Sequence, residues 1–228
     1  FGVNTGILLP NEESGVLRTP ENWTYQSNKS MAMGQEISCT SLQLAMAYSA
    51  VANGGYLLQP SIIKTIGEHN IAQTKVIRKI MSPSTSKTMI SLLEDVVSYG
   101  SGSNAYLDGY RIAGKTGTAQ KFIEGEYSKS KYISSFASIF PANNPKYVCI
   151  ISVDSPDKNK SKHWGNETAA PIIKNIYKKI INLKNIKSET FIADNDTNIK
   201  EKEIQNKEID LSVVPNFRGK TLKNALEI

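Results

Sequence analysis

Lys115-Thr116-Gly117-Thr118 is the stretch of this chain whose residue types and spacing could do chemistry. In an extended strand side chains alternate, so Thr116 and Thr118 share one face with Cα atoms roughly 6.6 Å apart, while Lys115 and Gly117 fall on the other. Two hydroxyls lining a cleft, with an ammonium long enough to reach round to a neighbouring polar group, make a seat for a carboxylate. Gly117, lacking a Cβ, would let another backbone come close. A peptide laid along such a strand would gain main-chain hydrogen bonds by strand addition, and its C-terminus would meet the hydroxyls and the ammonium. The ligand class implied is a peptide with a free C-terminus. A surface strand with a chance lysine and threonines would read the same way, so the flanking elements carry the decision.

Those elements can be read on both sides. Thr40-Ser41-Leu42-Gln43 has capping-box spacing, and Leu44, Ala45, Tyr48, Val51 and Ala52 keep helical period until Asn53-Gly54-Gly55 stops it. Ala45, Tyr48 and Ala52 are expected in the core. Residues 56–58 and 62–66 read as short strands in an excursion that includes Lys75-Val76-Ile77. A second helix runs from about Ser84, as its N-cap, to Tyr99, with Ile90, Leu93, Val96 and Val97 on one face. Gly100 and Gly102 close it, and residues 100–104 make a turn beside the cleft. After the motif, residues 122–131 are polar and read as a loop at the cleft mouth. Residues 132–140 and 146–153 are apolar runs joined by Pro141-Ala142-Asn143-Asn144-Pro145 and read as an antiparallel pair. Pro171 then sits early in a helix whose Ile172, Ile173, Ile176, Tyr177, Ile180 and Ile181 form a wide apolar face to cover the sheet. Residues 1–37 read as loops with short turns. The fold class is α+β, an antiparallel sheet flanked by helices.

With 228 residues, 39% of them hydrophobic, the chain can bury one core of roughly 150–200 residues plus an appendage. No run of about 18 apolar residues is present to span a membrane, and no signal peptide is visible at Phe1. The formal charge of +6 comes largely from scattered lysines, and there is no nucleic-acid motif or basic stripe interleaved with aromatics, so nucleic acid is not an expected partner. Cys39 precedes a helix and Cys149 sits in an apolar strand, where a small buried thiol is the default. With only His69 and His163, metal ligation has little support, and His163-Trp164-Gly165 reads as a loop near the cleft. Residues 184–210, rich in Lys, Asn, Glu and Asp, read as a polar linker.

K-T-G is the third of three motifs shared by penicillin-binding proteins and serine β-lactamases, after S-x-x-K and S-D-N. In its context it resembles the C-terminal half of a class B penicillin-binding transpeptidase domain. Residues 1–10 resemble that family's "FG...TGIDLPGE" stretch, residues 34–63 its "GQ.ISVTPLQLA.AYSAIANGG" segment, and residues 211–228 the opening of a PASTA domain. The resemblance implies a penicillin-binding protein/serine β-lactamase-like fold over residues 1–183, then the linker, then a truncated PASTA start. It implies a D,D-transpeptidase acting on the D-Ala-D-Ala stem peptides of peptidoglycan, with β-lactams as mimics and no cofactor or metal. Lys115 and Thr118 would be catalytic, Thr118 through its backbone N–H as an oxyanion donor; Thr116, Gly117, Thr118 and Gln120 would bind substrate. Four pairs spell S-x-x-K: Ser61 with Lys64, Ser84 with Lys87, Ser128 with Lys131, and Ser155 with Lys158. None has the S-x-N motif following it, so nucleophile and base are expected upstream of Phe1, as are an export signal and a membrane anchor that would hold the protein on the extracytoplasmic face of the bacterial cytoplasmic membrane. Glycosyltransferases and division or elongation proteins are the implied partners. Two rivals share K-T-G: a serine β-lactamase or D,D-carboxypeptidase, and a non-catalytic β-lactam or muropeptide sensor on the same fold.

Overall fold

The computed structural model describes residues 1–7, 9–70, 73–157 and 163–188. Short elements come first, β1 (Val16–Leu17), α1 (Ser27–Ala32) and β2 (Ile37–Ser38), set in turns and loops. β1 and β2 pair antiparallel, and the Glu36 carboxylate accepts from Ser27 Oγ at 2.8 Å and from Arg18 at 3.3 Å. α2 (Ser41–Ala52) starts at its capping box: Thr40 Oγ1 accepts from the Gln43 N–H, and Gln43 Oε1 from the Thr40 N–H. The Gln43 amide also donates to the carbonyls of Val3 and Ser14, each at 2.8 Å, so the helix start anchors the N-terminal stretch. Ala50 is its fully buried core residue; Ala45, Tyr48 and Ala52 are half-buried.

β3 (Tyr56–Leu58) pairs with β6 (Val76–Lys79), and β4 (Thr65–Ile66) with β5 (His69–Asn70). The strand expected over 62–66 is reduced to Thr65 and Ile66, and among the described residues the apolar run before it is left open, with Ile62 64% exposed. α3 (Pro83–Ser98) also begins differently from expectation. Ser82, not Ser84, is the N-cap, accepting from the Thr85 N–H at 3.1 Å. Pro83 takes the first helical position, where a missing N–H costs nothing. Leu93 and Val97 face inward as expected.

The main sheet is a meander of β7 (Ala113–Ile123), β8 (Glu126–Phe140) and β9 (Tyr147–Asp154), antiparallel throughout. The loop expected at 122–131 is instead the outer end of the β7–β8 hairpin. Glu124 and Gly125 close it as a two-residue turn with φ of 53° and 89°, the positive values that match hairpin twist. α4 (Gly165–Thr168) and α5 (Ala170–Lys184) follow, α5 ending at Asn185 in the left-handed conformation. Phe136 and Phe140 pack on Ile173, Tyr177 and Ile181 of α5. Ile139 and Ala113, on the opposite face, meet Leu93 of α3 and the half-buried side of α2. Tyr177 stacks on Phe140 with ring centroids 4.6 Å apart, and its hydroxyl is 2.8 Å from Ser138 Oγ, which donates to the Cys149 carbonyl. Burial raises the Tyr177 pKa well above the ordinary tyrosine value.

Cys149 is half-buried rather than buried, and both it and the exposed Cys39 are free thiols. Among the described residues no helix is long and apolar enough to cross a membrane. The linker beyond residue 188 and the PASTA-like residues 211–228 lie outside the described residues.

Candidate active-site cleft

The strand carrying the motif is held before it is used. Arg111, two residues ahead of β7, forks onto the Glu94 carboxylate of α3 at 2.7 and 2.8 Å. Gly114 lies flat on the Phe136 ring, so that a Cβ there would fall 2.5 Å from Cε1. The far edge of β7 has no partner strand among the described residues. Thr116 and Thr118, on the α5 side of the sheet, open onto a cleft of about 250 Å³ lined also by Ser101, Trp164, Gly165, Asn166 and Glu167.

Each hydroxyl is fixed by a different segment, the turn after α3 and the first residue of α4. Thr116 Oγ1 is 3.2 Å from Ser101 Oγ, and Thr118 Oγ1 accepts from the Gly165 N–H at 3.2 Å. Lys115 leaves from the other face and curls back, its Nζ 3.1 Å from the Thr116 carbonyl oxygen and 3.4 Å from Thr116 Oγ1. One ammonium and two hydroxyls therefore converge at an open strand edge, the donor set a carboxylate requires. The close approach expected at Gly117 is made by a side chain: a Cβ there would lie 2.5 Å from Ser135 Oγ. The backbone crossing belongs to Gly165, where a Cβ would collide with the Ser135 carbonyl and lie 2.8 Å from that of Gly117. Gln120 is half-buried opposite Tyr132 and lies beyond the lining of the cleft.

The second wall comes from the segment between β9 and α5. Ser134 Oγ donates to the His163 carbonyl. The His163 ring stacks on Tyr132 at 4.3 Å and on Trp164 at 4.7 Å, leaving Trp164 54% exposed at the cleft. Near the end of β9, the Lys121 ammonium grips Asp154 at 2.7 and 2.9 Å; with Ser155 it holds that carboxyl below its ordinary pKa. None of the serines that spell S-x-x-K lines the cleft; Ser84 is exposed and bonded to Ser82. Sequence reasoning named the floor, Thr116 and Thr118, and placed 100–104 and His163-Trp164-Gly165 nearby. It missed Ser101, Asn166 and Glu167 as lining residues; the serine between two glycines and the Trp-Gly step before a helix were the available signals.

Residues 1–178 match the penicillin binding protein transpeptidase domain. The chain belongs to the penicillin-binding protein transpeptidase family. It is 38% identical over 182 residues to the stage V sporulation protein D of Bacillus subtilis, covering 77% of this chain and 28% of that protein. It is 37% identical over 173 residues to the peptidoglycan D,D-transpeptidase FtsI homolog of Mesostigma viride, covering 68% of this chain and 29% of that one. Crystalline penicillin-binding protein 3 of Mycobacterium tuberculosis, complexed with ampicillin, superposes with a TM-score of 0.75 at 32% identity, over 83% of this chain and 44% of that one. The chain thus spans under a third of the length of these curated relatives. The α+β penicillin-binding fold read from the sequence is borne out, as is the resemblance to class B enzymes.

Proposed function

We propose that the chain supplies the carboxylate-binding side of the active-site cleft of a peptidoglycan D,D-transpeptidase on the extracytoplasmic face of the membrane. The observation that carries the reading is the convergence of Thr116, Thr118 and Lys115 at an unpaired sheet edge, in a chain whose relatives include named D,D-transpeptidases. A stem peptide would add along β7, its terminal carboxylate on Thr116 and Thr118 and the carbonyl of the penultimate D-alanine beside the Thr118 backbone N–H. A serine outside the described residues attacks that carbonyl; the C–N bond breaks, D-alanine leaves as the amine, and an acyl ester remains. An acceptor amine then attacks the ester, forming the crosslinking amide and returning the serine hydroxyl. A β-lactam follows the first half, its ring C–N bond opening onto the same serine. Lys115 holds the carboxylate by charge, Gly117 leaves room for Ser135 Oγ so that the strand can lie flat for the peptide, and Gln120 borders the peptide further along. Glycosyltransferases and proteins of division, elongation or sporulation are the partners this reading calls for, and residues 211–228 open a PASTA domain after a polar linker.

The test is labelling of the protein with a fluorescent penicillin and location of the adduct by mass spectrometry. The adduct is expected on an S-x-x-K serine outside the described residues, and Gly117→Glu, whose side chain would run into Ser135 Oγ and displace the strand along which the peptide adds, is expected to abolish it. An adduct on Ser84, or labelling unchanged by Gly117→Glu, would overturn the reading.

A further inference from the structure

The two threonine hydroxyls are anchored to two segments, the turn after α3 and the start of α4, and those segments are tied to each other. Asn104 Nδ2 donates to the Asn166 carbonyl at 2.8 Å, and the Asn104 N–H donates to Asn166 Oδ1 at 3.0 Å. Each side-chain amide is thereby spent on the other residue's backbone, closing a ring between positions 62 apart in sequence. Asn104 lies three residues after Ser101, the partner of Thr116; Asn166 directly follows Gly165, the partner of Thr118. We propose that Asn104 and Asn166 are a positioning clamp that holds the two walls of the cleft at the separation a terminal carboxylate needs. The inference rests on the carboxylate-binding reading above and extends it to a residue pair whose side-chain hydrogen bonds go to each other's backbone.

The chemistry of the hydroxyls explains why the separation matters. A threonine hydroxyl has one proton to give and two lone pairs to receive. On Thr118 the Gly165 N–H fills a lone pair, which leaves the proton for a ligand oxygen. On Thr116, Lys115 Nζ can only donate, and with Ser101 Oγ as the donor of their shared bond the Thr116 proton is likewise left for the cleft. Both protons then face the same ligand only while the segments bearing Ser101 and Gly165 keep their spacing. Asparagine suits the task because its planar amide can give, as Asn104 does, or receive, as Asn166 does, and neither residue is deeply buried, so the pair adds little to the stability of the core.

The test measures binding to the full chain of an N-acylated peptide ending in D-Ala-D-Ala and of the same peptide as its C-terminal amide. The readout is the ratio of the two affinities, which a merely structural role would not move. Wild type is expected to favour the carboxylate. Asn104→Ala and Asn166→Ala are each expected to lower that preference about tenfold, leaving amide binding unchanged, and the double variant to do no more than either alone. Single variants that keep the wild-type ratio, or that weaken both peptides equally, would overturn the clamp while leaving the proposed function intact. A wild type that does not distinguish the two peptides would overturn both.

Discussion

Phe136 and Phe122 sit on the same hairpin, yet the first is wholly buried and the second 64% exposed. At the inner end β7 and β8 are covered on both faces, by α5 on one side and by α2 and α3 on the other. At the outer end they form a bare ribbon, where Phe122 and Tyr127 meet edge to face at 5.2 Å. The Tyr127 hydroxyl, accepting from the Glu36 N–H at 3.2 Å, ties that end to the N-terminal region. Thr116 and Thr118 stand between the two halves. Their position is inherited from the packing behind them, since Thr116 is in register with Phe136, whereas the ribbon beyond them can vary at small cost.

That contrast orders the expected effects of substitution. Phe136→Ala, which empties the space under Gly102 and Gly114, should cost about 3–5 kcal/mol in urea unfolding. Gly114→Ala, pushing a methyl into the same ring, should cost about 1–3 kcal/mol and weaken penicillin labelling together with stability. Tyr177→Phe should cost about 1 kcal/mol at neutral pH through the lost bond to Ser138. It should also change the alkaline behaviour. Burial raises the Tyr177 pKa in the folded state, with the Ser138 bond acting against it and Cys149 adding to it. The stability linked to that raised pKa is complete below the unfolded tyrosine value of about 10 and is lost as pH rises beyond it. Unfolding midpoints compared at pH 8 and pH 11 should therefore fall less for Tyr177→Phe than for wild type. Phe122→Ala should change stability by no more than about 0.5 kcal/mol. If it costs as much as Gly114→Ala, the two halves are not distinct and the comparison fails.

The same division governs how legible the molecule was in its sequence. Where one face is buried, period and caps announced the element: α2 through Thr40 and Gln43, α5 through Ile173 and Tyr177, β8 and β9 through their apolar runs. Where both faces meet solvent the pattern carried no burial signal, so the ribbon over 122–131 read as a loop and only Glu124-Gly125 marked its turn. At α3 the serines at 82 and 84 both suit a cap, and the proline between them settles which one is used. In the cleft the floor was legible because Thr116 and Thr118 lie in one strand and alternation suffices to pair them. The wall was not, because Asn104 and Asn166 come together only through tertiary packing, which no local spacing encodes.

The meander order of the sheet has a consequence for the making of the chain. Each strand of the sheet pairs with its neighbour in sequence, so residues 113–154 can assemble from local contacts as soon as they have been made. The face bearing Phe136 and Phe140, however, waits for Ile173, Tyr177 and Ile181, which leave the ribosome later. During that interval a finished sheet presents an uncovered aromatic surface and an unpaired edge, the combination that invites self-association. Helix α5 is thus the element whose arrival ends the chain's most vulnerable moment, and a delay there would be felt as lost yield rather than as an altered native state.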